Sequence, residues 1–224
     1  MPAASEPSAS APSLREAPAW VAWEWAAVGG LLLLALALRL HDYTLAPTFT
    51  DNADEVQFTW AGMNLLLHGD PYTWELPGLG YLGQVPFAAF GTHYYLTHHW
   101  LAHPPLFSLV MGSWAVLLGD RSLDQTTAAQ VRIPPILFSC LAVFLAYLLG
   151  RRVLGRPAAL LGASLLAVAP AAVLLGREPE TESLLALLLL AALLLSLRFA
   201  GGAGGRWTFL ALCACAVAAP LVKL

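Results

Sequence analysis

The chain has 224 residues, 58% of them hydrophobic and 11% charged, with a formal net charge of −3 and a mean hydropathy of +0.68. A soluble domain carries about a quarter charged residues, so this composition excludes an ordinary water-soluble globule. With no basic excess, no nucleic-acid partner is expected. The apolar residues are gathered into uninterrupted blocks, Trp25–Leu40, Ile133–Gly150, Pro157–Gly176, Ser183–Leu197 and Trp207–Val222. A bilayer core of about 30 Å takes roughly 20 apolar residues of helix, a length that several blocks reach with their flanks. Lipid-exposed backbone must satisfy its own hydrogen bonds, and the run from Leu184 to Leu195 has no period-two alternation, so the blocks read as helices rather than strands. The sequence predicts an all-α polytopic membrane protein.

In chain order, residues 1–18 are rich in Ala, Ser and Pro and read as a disordered tail. The first span is expected at about 22–40. It reads as a retained signal-anchor, because Arg15 stands beside Glu16, no small-residue cleavage site precedes Arg39, and further spans follow. An outer loop is expected over 41–132. From His41 to Pro105 it has no Lys or Arg, while it holds Asp42, Asp51, Asp54, Glu55, Asp70 and Glu75 and all 6 histidines. Short cytoplasmic loops are enriched in Lys and Arg, so this loop is placed on the non-cytoplasmic face.

Within the loop, Asp51, Asn52 and Asp54 suit the start of a helix over 52–68, with Gly69 and Pro71 to end it. A cluster of Pro77, Gly78, Gly80, Gly83 and Pro86 follows, and aromatic residues such as Trp74, Tyr94, Tyr95 and Trp100 suit a membrane interface. A second helix is expected at 105–119. Its apolar stretch is about 21 Å long as a helix and is interrupted by Ser108, Gly112 and Ser113, so it is predicted to lie along the interface rather than cross.

The remaining spans are expected at about 133–150, 157–176, 182–199 and 206–223. Arg151, Arg152 and Arg156 place the first turn among them inside, as Arg198 and Arg206 do for the GGAGG turn. The short connection from Arg177 to Glu182 is then outside, on the face that carries Asp54. Cys140, Cys213 and Cys215 lie in apolar blocks as small filler, and Cys213 and Cys215 face different sides of one helix.

Asp54-Glu55 admits two readings: an acidic first turn favouring the helix dipole, or a partly desolvated carboxylate that accepts a proton from an incoming hydroxyl. His98, His99 and His103 form a second cluster. His99 and His103 would share a helix face, which leaves a metal site open, although spacing indicates no third ligand and Pro104-Pro105 ends regular geometry. A polar contact from His103 to a phosphate or acceptor is the other reading. Arg177 and Glu182 form a third cluster, either a snorkelling pair at the ends of two spans or an arginine facing an anionic head group with a supporting acid.

With Asp54-Glu55 soon after the first span, the Ala61–Tyr72 stretch, His103-Pro104-Pro105-Leu106, Gln130–Pro134, the Arg151–Pro157 turn, and Arg177 followed by Glu182, the chain resembles a C-type (GT-C) membrane glycosyltransferase. The branch is the one related to protein O-mannosyltransferases and the lipid A aminoarabinose transferase, and the resemblance runs from about Leu31 to Lys223. It implies a GT-C-like N-terminal transmembrane module with interfacial helices in the first outer loop. It implies also a polyprenyl-phosphate sugar donor, and a protein, lipid or glycan acceptor meeting it beside the membrane lipids. Asp54 would be the catalytic carboxylate with Glu55 as its neighbour. His103, Arg132, Arg177, Glu182 (with Glu180 as a substitute) and Lys223 would bind substrate, and a divalent cation, Mg or Mn, is left open as cofactor. The acceptor hydroxyl would displace polyprenyl phosphate with inversion at the outer face of a plasma or inner membrane. Since such enzymes carry more spans, the chain is expected to be a C-terminally truncated part, inactive alone. A non-catalytic scaffold of the same fold and a transporter subunit are the rival readings. Spans almost free of charge argue against the transporter.

Overall fold

Proline and glycine set most of the helix boundaries. The computed structural model describes residues 19–49, 54–75, 85–89, 92–100 and 102–223. In chain order it holds α1 (Ala22–Leu40), α2 (Asp54–His68), β1 (Thr73–Glu75), β2 (Val85–Ala89), β3 (Thr92–Thr97), α3 (Pro105–Leu118), a 3₁₀ turn at Leu123–Gln125, α4 (Ala128–Val131), α5 (Ile133–Val153), α6 (Arg156–Val168), α7 (Pro170–Leu175), α8 (Thr181–Ala200) and α9 (Arg206–Val222). Asp51, Asn52 and the Pro77–Gly83 cluster lie outside the described residues.

Pro105 opens α3 at a position where a missing N–H costs nothing, and Gly119 closes it in the left-handed region at φ 103°. Arg132 keeps right-handed helical angles, so α4 leads directly into α5 over 26 residues, Ala128–Val153, and Pro134 and Pro135 fall in the first turn of α5, where a missing N–H is tolerated. Where one span was expected over 157–176, the chain breaks in two. Pro170 forces Ala169 to ψ 124°, which ends α6 and starts α7.

Ala22–Leu40, Ala128–Val153 and Thr181–Ala200 are long and apolar enough to cross a membrane, and α3, α6 and α9 are shorter apolar helices. Side chains such as Leu33, Leu117, Leu161 and Val217 face outward, an apolar surface that lipid suits and water does not. The chain is a mostly helical polytopic membrane module. A feature that sequence reading did not expect is a small antiparallel sheet between α2 and α3, with strand order β1-β3-β2 and Thr73 opposite Thr97. Asn64 Nδ2 donates to the carbonyl of Tyr72 at 2.8 Å, and Gln57 Nε2 bonds that of Trp74, which ties β1 to α2.

Two larger apolar cores hold the described helices, beside a smaller cluster of Val56 and Trp60 of α2 with Trp74 of β1. In one, Val28, Leu31 and Ala35 of α1 pack on Val143 and Tyr147 of α5 and on Ala159, Ala163 and Ala167 of α6. At this end Glu24, fully buried near the start of α1, accepts from Tyr147 Oη at 2.5 Å and lies 2.5 Å from Arg151 Nε and 3.2 Å from Arg156 Nε. Arg151 also stands 4.6 Å over the Trp20 ring. The other core joins Phe58 and Ala61 of α2, Phe107 and Met111 of α3, Val131, Leu184 of α8 and Val222 of α9.

Helices α2 and α3 touch backbone to backbone. A Cβ added at Gly112 would lie 2.2 Å from the Gly62 carbonyl carbon, and one at Gly62 would lie 1.8 Å from the Ser108 carbonyl oxygen. Ser108 and Gly112, two of the small residues that interrupt the apolar stretch of α3, thus lie on its docking face. Gly112→Ala is expected to push the helices apart and lower stability by about 1–3 kcal/mol. Thermal unfolding of the detergent-solubilised protein measures this, and an unchanged midpoint would show that the close approach is dispensable.

Candidate functional site

The site assembles where α1 and α9 end and α2, the α4–α5 helix and α8 begin. Its foundation is a set of buried arginines. Arg39, in the last turn of α1, donates from Nε to Ser139 Oγ of α5 at 2.7 Å and from Nη1 to the Ala167 carbonyl at 3.1 Å. The break at Pro170 frees the last carbonyls of α6 from intrahelical bonding, so the arginine takes up an acceptor that the proline releases. Its Nη2 reaches the Ala172 carbonyl of α7 at 3.3 Å.

Arg177, buried just beyond α7, donates to the carbonyls of Ala46, at 3.1 Å, and Leu38. Burial lowers its pKa from the usual arginine value, Asp42 counteracts that, and the charge of Arg132 adds to it. Arg132, fully buried at the α4–α5 joint, pairs through Nε with the buried carboxylate of Glu55. Its Nη1 donates to the Tyr43 carbonyl at 2.6 Å and the Pro47 carbonyl at 2.9 Å. The path from α1 to α2 is therefore fastened by guanidinium-to-carbonyl bonds from two separate helix ends. Arg132 Nη2 and Arg177 Nε are buried and without a hydrogen-bond partner among the described residues.

Asp54, the first residue of α2, is half-buried beside Glu55. The α8–α9 hairpin approaches it from the other side. Lys223, at the C-cap of α9, hydrogen-bonds Glu182 in the first turn of α8. That bond raises the lysine pKa from its ordinary value; the charges of Glu182, Glu180 and Asp54 reinforce it, and burial opposes it. Lys223 is thus held as an ammonium in the field of three carboxylates. Those acids converge on a cation the chain already supplies, and among the described residues no three His, Cys, Asp or Glu side chains meet as metal ligands would.

The structure brings together Asp54, Glu55, Arg132, Arg177, Glu182 and Lys223 at one end of the bundle. Arg177 and Glu182 do not pair with each other: Arg177 bonds backbone carbonyls, and Glu182 bonds Lys223. His103 packs edge-on against Phe58, ring centroids 5.1 Å apart, and Phe58 stands one helical turn after Asp54. The helix face expected to join His99 and His103 is absent, since this segment is not helical. His98 Nδ1 instead meets Asp70 Oδ2 at 2.7 Å, and the His99 backbone N–H donates to Asp70 Oδ1 at 3.1 Å. Sequence reading missed Arg39. Its signal was a single cation in an apolar block.

Breaking the Arg132–Glu55 pair by Arg132→Ala takes the arginine away from a buried carboxylate and is expected to cost about 3–5 kcal/mol. Glu55→Gln in the Arg132→Ala background should recover part of that loss in a double-mutant cycle read by thermal unfolding. Independent, additive losses would show that the pair is not coupled. A separate expectation concerns pH. The His98 hydrogen bond holds the Asp70 carboxyl below its ordinary pKa of 3.8, burial opposes this, and the His99 N–H and the charges of both histidines assist it. The stabilisation from a lowered carboxylate pKa is complete above the unfolded-state value and vanishes as pH falls through the folded-state value. Hydrogen exchange at the amide of His99 should therefore accelerate only below about pH 4, beneath the ordinary carboxylate value, and Asp70→Asn should abolish that pH step.

Among protein families, the model described as dolichyl-phosphate-mannose-protein mannosyltransferase matches residues 102–223, more than half of the chain. The match takes in His103, Arg132, Arg177, Glu182 and Lys223, and it does not reach α1 or Asp54-Glu55 of α2. No curated protein and no solved structure matches the chain.

Proposed function

This chain belongs to the dolichyl-phosphate-mannose-protein mannosyltransferase family, a GT-C type of membrane glycosyltransferase, and from that premise we propose that it transfers a sugar from a polyprenyl-phosphate donor to an acceptor hydroxyl at the non-cytoplasmic face. The observation that carries the reading is the placement of Lys223, bonded to Glu182 and within the electrostatic reach of Asp54. Residues far apart in sequence, from α2, α8 and α9, thereby form one charged surface at the end of an apolar bundle.

The chemistry follows from that surface. The acceptor oxygen forms a bond to the anomeric carbon as its proton passes to the Asp54 carboxylate. The bond from that carbon to the phosphate oxygen breaks on the opposite side, and the electron pair leaves with polyprenyl phosphate, so the configuration inverts. Glu55 is committed to Arg132, which leaves Asp54 as the half-exposed carboxylate of the two. Lys223, with the buried charges of Arg132 and Arg177 behind it, supplies positive charge for the departing phosphate.

A lipid-linked donor also needs an apolar path to this end of the bundle. A cleft of about 160 Å³ between α5, α6 and α8 runs from Glu182 and Ser183 to Leu190, with Ala142 and Leu166 among its walls. The opposite end of α5 carries Arg151, roughly 28 Å from Arg132 along the helix axis. The basic turn there favours the cytoplasm, which leaves Asp54 and Lys223 outside.

Asp54→Asn is expected to reduce sugar transfer by the full-length protein by about 10²–10⁴-fold, the range for loss of a general base, with membrane insertion unchanged. Transfer of labelled sugar from a polyprenyl-phosphate donor, with the anomeric configuration of the product read by NMR, checks both points. Near-normal turnover in the variant removes Asp54 from this role.

A further inference from the structure

Two buried arginines exchange acceptors at the charged end of the bundle. Leu38 lies in the last turn of α1 and Ala167 in the last turn of α6, where carbonyls have no intrahelical N–H to bond. Arg39, the residue after Leu38, donates to the Ala167 carbonyl at 3.1 Å. Arg177, just beyond α7, donates to the Leu38 carbonyl in return. A cation at a helix C-terminus is favoured by the aligned peptide dipoles. Each arginine thus caps the helix end beside the other.

The backbone opens both ends for this exchange. Asp42, two residues past α1, adopts a φ of 53°, a left-handed angle that turns the chain off the helix path. Ala169, at ψ 124° before Pro170, does the same after α6. The exchange is also braced from the sides. Arg39 Nε donates to Ser139 Oγ at 2.7 Å and its Nη2 to the Ala172 carbonyl at 3.3 Å, while Arg177 Nη1 reaches the Ala46 carbonyl at 3.1 Å. Gly176 runs so close to Ser139 that a Cβ there would stand 2.4 Å from Oγ. The side chain that holds Arg39 therefore also sets the backbone path into Arg177.

Arg39 is fully buried and hydrogen-bonds a hydroxyl and backbone carbonyls. Its hold comes from the forked geometry of a guanidinium, which a lysine ammonium does not reproduce. Arg177, in turn, feels the charge of Arg132 at the same end.

We propose that Arg39 is a positioning residue for the transfer reaction. By capping α6 and holding Ser139 beside Gly176, it fixes Arg177 and so places the positive charge behind Lys223. Fully buried, it acts through Arg177 and not on the substrate. The inference rests on the transfer reading.

Guanidinium exchange and turnover test it separately. In the full-length protein with ¹⁵N-arginine in detergent, the Nε–H signals of Arg39 and Arg177 are identified by their loss in Arg39→Lys and Arg177→Lys. Ser139→Ala takes no bond from Arg177, yet it should speed hydrogen exchange there by about tenfold or more and leave Arg151, at the far end, unchanged. Unaltered exchange at Arg177, or equal acceleration at Arg151, overturns the proposal.

Per folded molecule, Arg39→Lys should lower kcat for transfer from a polyprenyl-phosphate sugar by about ten- to hundredfold. The donor KM should stay within about threefold, since charge on the departing phosphate grows only in the transition state. Combined with Arg177→Lys it should add less than about twofold, because both act through one charge. Wild-type kcat in Arg39→Lys, or losses that multiply in the pair, overturns the proposal. Should Arg39→Lys not fold, Ser139→Ala replaces it in the cycle. A wild-type protein that transfers no sugar removes the transfer reading, and exchange at Arg177 still decides whether Arg39 positions it.

Discussion

The geometry of the charged end depends on one buried guanidinium. Arg132 holds the Glu55 carboxylate and the carbonyls of Tyr43 and Pro47 from a single side chain. Burying two opposite charges gains little unless their remaining hydrogen-bonding capacity is also used. Here much of that capacity is spent on the backbone between α1 and α2, so the pair contributes position more than net stability. It fixes the first turn of α2 against the α4–α5 helix, and with it the direction in which Asp54 faces. Two adjacent acids are thereby given different environments: Glu55 is enclosed by its arginine, while Asp54 stays half-exposed near the α8–α9 hairpin.

The two ends of the bundle solve the problem of charge beside lipid in different ways. At the Glu24 end, one carboxylate is shared by Arg151, Arg156 and Tyr147, and the network closes on itself. At the other end, Arg39, Arg132 and Arg177 are all buried, and their bonds go mainly to backbone carbonyls. Carbonyl dipoles solvate a guanidinium without neutralising it. Lys223, bonded to Glu182, adds a further cation at that end, in the field of Glu180 and Asp54. A closed network suits a clamp.

The broad fold class and the family resemblance were legible in the sequence because they rest on long apolar runs and on motifs that do not need contacts to be recognised. Buried ion pairs were harder. Glu24 sits at the edge of an apolar block, and nothing local announces that Arg151, on another helix, will meet it. The same holds for Lys223 and Glu182, which face each other only because α8 and α9 form a hairpin. Strands β1, β2 and β3 span 3, 5 and 6 residues among glycines and prolines, too short for alternation to stand out. His99 and His103 show the converse. Their spacing suggested a shared helix face, but Asp70 captures His98 and the His99 backbone, and the segment does not form a helix.

The proline at 170 ties local sequence to the site. A continuous helix over 157–176 would satisfy the Ala167 carbonyl internally and leave Arg39 without that acceptor. The break turns the carbonyl toward α1, and Arg39 binds it together with Ser139 and Ala172. Gly176 then passes close to Ser139, where a Cβ would stand 2.4 Å from its hydroxyl oxygen. The next residue in the chain is Arg177, delivered to the Ala46 and Leu38 carbonyls. A single residue without an N–H thus supplies the acceptor that anchors α1, and the short helix it begins carries Arg177 to the same end as Arg132. The polar end of the bundle is built from a defect in an apolar span, which is why apolar periodicity by itself could not reveal it.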